Sequence, residues 1–305
     1  MTATNPPAAG AGQPAVRPQP SGVAATGVGG AALLVATRVA LWLGVQLLLA
    51  GLLVLVGVAA TGIGSAVLLV VTRIGLWLGV QLLVAGLLVL GGTTAAGQPL
   101  DAAAAWWMVD GALVDLGTLG LIGWLLRRDG RAYRNLLGPP AAAWQVGLGA
   151  LGVLAASVPA MVLGAEVNNA FYGDAIPPMF AVVDLPPLAS VLSVLVVPLL
   201  AELAEPVAYL GVVLPRLEER IGRPWIAAAI VVVIWAAEHA CYPLLVSDGS
   251  LDFRFAASRV VSVLPFLATW TALYYALDRR LLPIMAARWV FNGGTALAVA
   301  LGTVG

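Results

Sequence analysis

Long apolar stretches separated by short polar segments make up most of the chain after residue 30. About 20 consecutive apolar residues can cross the roughly 30 Å hydrocarbon core of a bilayer as a helix. The pattern predicts an all-α fold, a polytopic transmembrane helical bundle with about eight spans. The predicted spans are residues 32–57, 67–92, 104–126, 141–163, 188–214, 225–246, 260–277 and 281–301. Asp110 and Asp115 interrupt the third span, which could therefore be interfacial.

Two of these spans are copies of one sequence. Residues 32–57 read ALLVATRVALWLGVQLLLAGLLVLVG and recur 35 residues later as VLLVVTRIGLWLGVQLLVAGLLVLGG. A repeat that occurs only twice indicates a recent tandem duplication rather than a solenoid. The polar and aromatic positions match, pairing Arg38 with Arg73, Trp42 with Trp77, and Gln46 with Gln81. We expect the two glutamines to form interhelical hydrogen bonds.

The same pattern divides the chain into four parts. Residues 1–30 are rich in Pro, Ala and Gly and should form a disordered tail, because they cannot bury enough apolar surface. Residues 31–92 form the duplicated helix pair, and residues 93–187 contain further membrane helices and loops. Residues 188–302 form a last part, which concentrates polar residues within its spans.

Composition supports a membrane protein. The chain is 61% hydrophobic and 10% charged, whereas soluble domains are about 25% charged. The 15 basic residues balance the 15 acidic ones, and every basic residue is arginine. Nothing in this balance suggests nucleic-acid binding. We therefore expect a multi-pass protein of the cell membrane, with the lipid bilayer as a partner.

Arginine-rich loops predict the orientation of the bundle. The loops at 127–134, 216–223 and 279–280 should lie on one side, which the positive-inside rule makes cytoplasmic. The loops at 166–187 and 247–258 would then face the other side.

The scarcity of histidine and cysteine limits the chemistry. His239 and Cys241 are the sole residues of their types. A site with two histidine ligands, such as an HExxH helix, is therefore excluded. We expect no metal and no cofactor.

Two acidic residues in the fifth span are the first candidates for chemistry. Glu202 and Glu205 are three residues apart, so they share one face of a helix. Pro206 has no N–H, which frees the carbonyl of Glu202 and predicts a kink. A carboxylate at membrane depth costs a few kcal/mol or more and usually faces a partner or a reaction.

Two later spans bring matching polar groups. Glu238 and His239 are adjacent in the sixth span, with Trp235 one turn before the histidine, and Arg288 and Asn292 are one turn apart in the eighth. A glutamate can take a proton from water while histidine or asparagine stabilises an oxyanion, which would hydrolyse an amide without metal. Proton relay uses the same residue types. A polar contact that joins two helices is the third interpretation.

The order of these motifs resembles that of the CPBP family of intramembrane glutamic proteases, which includes type II CAAX prenyl proteases and bacteriocin-processing or self-immunity proteins. The family motifs are EExxxRG, often followed by PRL, then FxxxH, and HxxxN or HxxxD. The corresponding segments here are EPVAYLG at 205–211 with LPRLEER from 214, WAAEH at 235–239 and RWVFN at 288–292. The resemblance covers roughly residues 188–300 and implies an intramembrane protease core at 188–302.

The resemblance also implies roles for individual residues. Glu205 would be the general base, His239 its partner and Asn292 an oxyanion donor. The resemblance carries over no catalytic role to Arg288. From their places in the three spans, the expected supporting residues are Glu202, Glu238, Arg288 and Trp235. The chain departs from the motifs at three positions, with Pro206 for the second glutamate, Leu210 for the arginine and Arg288 for the last histidine.

Arg288 decides between two versions of this site. If it pairs with Glu202, then Glu205 could remain a base and Arg288 could bind an oxyanion. If it pairs with Glu205 directly, that carboxylate becomes a poorer base.

The implied activity is a metal-independent endopeptidase that cuts a membrane-associated peptide, prenylated or carrying a leader. The departures leave a second hypothesis, a degenerate relative that binds partners as a scaffold or immunity protein without cleaving them. A transporter or proton channel is the third. The 35-residue repeat does not support it, because transporter repeats are whole helical bundles.

Overall fold

The structure is a computed structural model that describes residues 62–92, 103, 106–172, 187–241 and 253–300. The predicted tail at 1–30 and the first copy of the repeat at 32–57 lie outside the described residues. All regular elements in the described part are helical, as the all-α prediction requires. The α-helices are α1 (Gly62–Leu90), α2 (Trp107–Arg128), α3 (Ala143–Tyr172), α4 (Pro187–Pro206), α5 (Leu214–Ile221), α6 (Pro224–Glu238), α7 (Phe253–Ala276) and α8 (Leu281–Ala300).

Three shorter segments complete the path of the chain. A 3₁₀ turn, Tyr133–Leu136, lies between α2 and α3. A π-helix, Val207–Val213, connects α4 to α5. A second 3₁₀ turn, His239–Cys241, follows α6. The π-helix begins directly after Pro206, where the sequence predicts a break in the regular α-helix.

Several predicted boundaries are wrong. The fourth span continues through Glu166 to Tyr172, so the start of the predicted 166–187 loop is helical. The seventh span begins at Phe253, inside the predicted 247–258 loop. The sixth helix ends at Glu238, which puts His239 in a 3₁₀ turn rather than in the helix. Residues 242–246 of that predicted span lie outside the described residues.

Among the described residues, five helical segments are long and apolar enough to cross a membrane. They are residues 63–90, 109–128, 143–171, 196–221 and 256–276, and the shorter apolar helix α6 adds 224–238. The predicted number of about eight spans is not confirmed. The third span is one of the five, and both of its aspartates are buried. Both findings favour a spanning helix over an interfacial one.

The described bundle has an apolar surface, and its mainly apolar core encloses several charged side chains. Large apolar side chains are exposed along the helices, including Leu87 in α1 and Leu151 in α3. Buried acids and arginines lie in the interior, including Asp115 and Arg288. Exposed apolar side chains along several long helices suit hydrocarbon rather than water.

The π-helix lies at the centre of the bundle. Every one of its seven residues is buried, and it packs against α1, α6 and α8. Around the π-helix, α2 packs against both α1 and α4. Helix α3 packs against both α7 and α8, and α7 also packs against α6. Because α4 leads into the π-helix, the two glutamates in the last turns of α4 point into the interior.

The three arginine-rich segments meet at one end of the bundle. Arg216 pairs with Asp129 at 3.0 Å, and Arg279 pairs with Glu218 at 2.6 Å. At the other end, Arg254 donates a hydrogen bond to the carbonyl of Phe171. The arrangement agrees with the predicted grouping of the loops, and the cytoplasmic assignment stays a prediction.

Gly138 fixes the entry into α8, the helix that carries Arg288. Its φ is +87°, and an added Cβ would lie 2.2 Å from the carbonyl oxygen of Arg279. The adjacent carbonyl of Leu137 accepts a hydrogen bond of 3.0 Å from the amide of Leu281, the first residue of α8. Only glycine fits here, because a side chain would meet backbone atoms that cannot move independently.

We expect Gly138→Ala to lower the free energy of unfolding by at least about 2 kcal/mol more than Gly130→Ala. Gly130 also has positive φ, at +64°, but a Cβ there would meet nothing within 4 Å. The control therefore carries the same backbone strain without the clash. Thermal unfolding of the two variants in detergent measures the difference. Equal melting temperatures would contradict this account of the loop.

Candidate active site

The two glutamates of α4 share one guanidinium. Arg288 donates from Nε to Glu202 Oε2 at 2.7 Å and from Nη2 to Glu205 Oε2 at 2.5 Å. The predicted common face of the glutamates is therefore present. The Arg288 side chain is buried, and its guanidinium lies 4.3 Å from the ring centre of Trp270. The sequence left open whether Arg288 pairs with Glu202 or with Glu205. In the structure it pairs with both.

Asn292 lies beside the same carboxylates. It is one turn beyond Arg288 on α8, and its Nδ2 donates to Glu202 Oε1 at 2.6 Å. Glu202 thus accepts hydrogen bonds from both Arg288 and Asn292, the first and last residues of the RWVFN segment. One amide hydrogen of Asn292 remains for another acceptor, since an NH₂ group has two donors.

The second oxygen of Glu205 faces α6. Trp235 Nε1 donates to Glu205 Oε1 at 2.5 Å, and His239 Nε2 lies 3.7 Å from the same oxygen. His239 Nδ1 lies 2.9 Å from the carbonyl oxygen of Trp235. Because a carbonyl can only accept, this bond requires the hydrogen on Nδ1 and leaves Nε2 directed at Glu205.

The site combines burial with limited access. The side chains of Glu202, Glu205 and Arg288 are 3%, 8% and 4% exposed, whereas that of His239 is 13% exposed. The imidazole therefore lies at the more open side of the cluster. Three of the elements that meet here, α4, α6 and α8, are the ones that the sequence motifs identify.

Tyr133 supports the end of α4 from outside the membrane-spanning segments. Burial raises the pKa of Tyr133 to about 12, so its hydroxyl remains a donor over the physiological range. It donates to the carbonyl of Leu203, in the turn that carries Glu202 and Glu205. This hydrogen bond holds the 3₁₀ turn after α2 against the turn of α4 that carries the two acids.

A second buried cluster lies next to the first. Glu238 does not turn toward its neighbour His239. Its Oε1 accepts from Arg73 Nε at 2.7 Å and Trp77 Nε1 at 3.0 Å, and its Oε2 accepts from the hydroxyl of Tyr209. Arg73 Nη1 also donates to Asp115 Oδ1 at 2.9 Å and Thr118 Oγ1 at 3.1 Å. This Arg73 cluster consists of Arg73, Trp77, Asp115, Thr118, Tyr209 and Glu238.

Sequence reasoning found the first cluster and missed most of the second. It predicted Glu238 as a supporting residue but gave Arg73 no role and favoured an interfacial position for Asp115. One signal was available, because an arginine in the middle of an apolar span needs a buried partner. Tyr209 gave no comparable signal, since tyrosine is common in membrane helices near the interface.

Comparison with known proteins gives one match. Residues 187–294 match the family model described as Type II CAAX prenyl endopeptidase Rce1-like. This segment begins with α4, includes the π-helix and ends within α8. This part of the chain is therefore similar to type II CAAX prenyl endopeptidases, in agreement with the resemblance of its motifs to the CPBP family. No curated protein and no solved structure matches it.

The match and the several long apolar helices together indicate a multi-pass membrane protein that contains a segment similar to CAAX proteases. The matched residues contain all three motif segments, with Glu205, His239 and Asn292 among them. Leu210 and Gly211 are buried in the π-helix, so the position of the missing motif arginine is filled by an apolar contact.

Within the described part of the chain, no group of three His, Cys, Asp or Glu side chains is arranged to hold a metal ion. The metal-independent chemistry expected from the sequence stays a prediction. The groups that can act on a substrate are two carboxylates, one imidazole, one amide and one guanidinium.

Proposed function

We propose that the chain is an intramembrane glutamic-type endopeptidase of the cell membrane, which hydrolyses a peptide bond in a membrane-associated peptide, prenylated or carrying a leader. The observation that carries this proposal is the 3.7 Å approach of His239 Nε2 to Glu205 Oε1 inside a bundle of apolar helices. The family match at 187–294 supports the broader part of this proposal, a membrane endopeptidase.

In the proposed reaction Glu205 is the general base. A water molecule bound at the open side of Glu205 and His239 gives a proton to Glu205 Oε1, and its oxygen attacks the carbonyl carbon of the substrate. The C–N bond then breaks, and the proton passes from Glu205 to the leaving amine. His239 assists at both stages, because its Nε2 can accept a hydrogen bond from the water or hold a proton.

Asn292 and Arg288 are the proposed oxyanion donors. The attack turns the substrate carbonyl oxygen into an oxyanion, which needs preorganised donors in a site of low dielectric. The remaining hydrogen of Asn292 Nδ2 and the Nη1 group of Arg288 are available within the described residues. The positive charge of Arg288 favours the oxyanion, although the same charge also stabilises Glu205 in its ionised form.

The Arg288–Glu205 ion pair therefore limits the rate. A carboxylate that already accepts charge-assisted hydrogen bonds takes a proton from water less readily. We expect slow cleavage compared with the variant that replaces this arginine by histidine.

The proposal is tested by incubating the full-length protein in lipid vesicles with membrane-anchored peptides in H₂¹⁸O. Three peptide sets, prenylated, lipid-free and leader-bearing, cover the proposed substrate classes. Mass spectrometry should find one ¹⁸O atom in the new C-terminal carboxylate of at least one peptide. Binding without cleavage in every set would favour the scaffold hypothesis and contradict the proposed hydrolysis.

A further inference from the structure

Arg73 is a buried cation that lies far before the matched segment in the sequence. It lies in the middle of α1, within the second copy of the repeat, and is 3% exposed. Its guanidinium contacts Glu238 of α6 and both Asp115 and Thr118 of α2. Placing an arginine inside a membrane bundle costs several kcal/mol unless charged partners surround it. The partners of Arg73 include the residue that directly precedes His239.

The first connection between Arg73 and the site runs through the backbone. Glu238 is the last residue of α6, and His239 begins the 3₁₀ turn. Holding the Glu238 carboxylate fixes the rotation of this last turn. The rotation in turn sets the direction of the imidazole, whose Nδ1 is bound to the carbonyl of Trp235.

The second connection runs through side chains. Glu238 Oε2 accepts the hydroxyl hydrogen of Tyr209, and the Tyr209 ring stacks on Trp235 with centroids 5.0 Å apart and planes 13° from parallel. The Trp235 indole donates to Glu205. Both routes from Arg73 thus end at the two residues that would activate water.

We propose that Arg73 is a positioning residue for the protease site, which orients His239 and Glu205 through Glu238, Tyr209 and Trp235. The proposal rests on the proposed function, because it assigns Arg73 to the same reaction. It also gives the duplicated helix a role, since its second copy supplies part of the active-site framework. The hydrogen bonds of Arg73 go to Glu238, Asp115 and Thr118, and the proposed orientation of His239 and Glu205 is passed on through Glu238.

The repeat offers a matched control. Arg38 has almost the same neighbours in sequence as Arg73, with TRVALW after residue 36 and TRIGLW after residue 71. In the structure, Arg73 is the arginine that contacts Glu238. Arg38→Met should therefore leave the kinetic constants within about twofold of the wild type, whereas Arg73→Met should lower kcat about 100-fold with KM little changed. Arg73→Lys should recover at least tenfold of this loss, because it restores the charge.

Stability and kinetics must be read together. If Arg73→Met lowers the melting temperature while the folded fraction keeps the wild-type kcat, the role of Arg73 is structural only and the proposal is wrong. If this variant does not fold, Glu238→Gln replaces it, because the amide keeps the shape of the side chain and loses the charge. If Arg38→Met lowers kcat and Arg73→Met does not, the proposal is also wrong. The arginine of the first copy, and not Arg73, would then be the one that acts on the site.

The single histidine gives a readout that does not depend on cleavage. Protein labelled with ¹⁵N-histidine and purified through a histidine-free tag reports on His239 alone. Arg73→Met should shift both ring-nitrogen resonances, and Arg38→Met should leave them in place. Shifted resonances in a protein that cleaves no peptide would support positioning and refute the proposed function. Unchanged resonances and kcat in Arg73→Met would refute positioning even if the wild type is a protease.

Discussion

Arg288→Met should be among the most destabilising single substitutions in the bundle, with a loss of about 3–5 kcal/mol in the free energy of unfolding. The substitution keeps an apolar side chain between Trp235 and Trp270 but removes the cation that pairs with Glu202 and Glu205. Two carboxyl groups would then share one turn of α4 without a guanidinium. Unfolding in detergent, followed by tryptophan fluorescence, measures the change.

A second substitution separates the loss of charge from the loss of packing. In the Arg288→Met background, Glu202→Gln and Glu205→Gln together should recover at least half of the lost stability, because neutral amides need no cation. Failure of the double substitution to recover any stability would show that packing against the tryptophans accounts for the effect. Arg288 would then not be the charge partner that stabilises the two acids.

Arg288→His should raise peptidase activity, and we expect a gain of at least about tenfold in kcat. The variant restores the HxxxN spacing with Asn292 and removes the permanent charge from Glu205 Oε2. A difference of 1.4 kcal/mol corresponds to a factor of ten, so the loss of one ion pair of ordinary strength is sufficient. Initial rates on the same vesicle-bound peptide measure the gain.

The methionine variant is the control for this gain. Arg288→Met also frees Glu205 from the ion pair, but it provides no donor for an oxyanion and leaves the two acids without a guanidinium. We therefore expect its rate to stay below that of Arg288→His at equal folded concentration. A histidine variant no faster than the wild type would mean that the ion pair is not what limits the reaction.

The order and spacing of the polar residues predicted the first cluster well. Glu202 and Glu205 share a face because they are three residues apart, and the structure brings His239 and Arg288 to the same place. These predictions depend on local spacing and on three motifs in a known order. Whether Glu205, His239 and Asn292 are catalytic stays a prediction.

The Arg73 cluster could not be predicted in the same way. Helix α1 is apolar over most of its surface, so its sequence indicates that Arg73 needs a buried partner but does not show which residue that partner is. The pairing of Arg73 with Glu238 depends on the rotation and depth of α1 against α6, residues 165 positions apart. Sequence periodicity within one helix carries no information on either quantity.

The ends of the helices were the least predictable part of the fold. Charged residues such as Glu166 and Arg254 suggested loops, yet both lie in helices that extend beyond the apolar core of the span. A transmembrane helix can continue into the interfacial region, where its charged side chains meet water. Polarity therefore marks the membrane boundary more reliably than it marks the end of a helix.

The most direct test of the central claim is the cleavage rate of Glu205→Gln beside that of Glu202→Gln, in the same vesicles and at equal folded concentration. The two acids share Arg288, so both variants disturb the ion pairs, but Glu205 alone lies within 4 Å of His239 Nε2. We expect Glu205→Gln to lower kcat by about 10²–10⁴, as for loss of a general base, and Glu202→Gln to have an effect at least tenfold smaller. Equal losses, or cleavage that survives in Glu205→Gln, would contradict the assignment of Glu205 as the base.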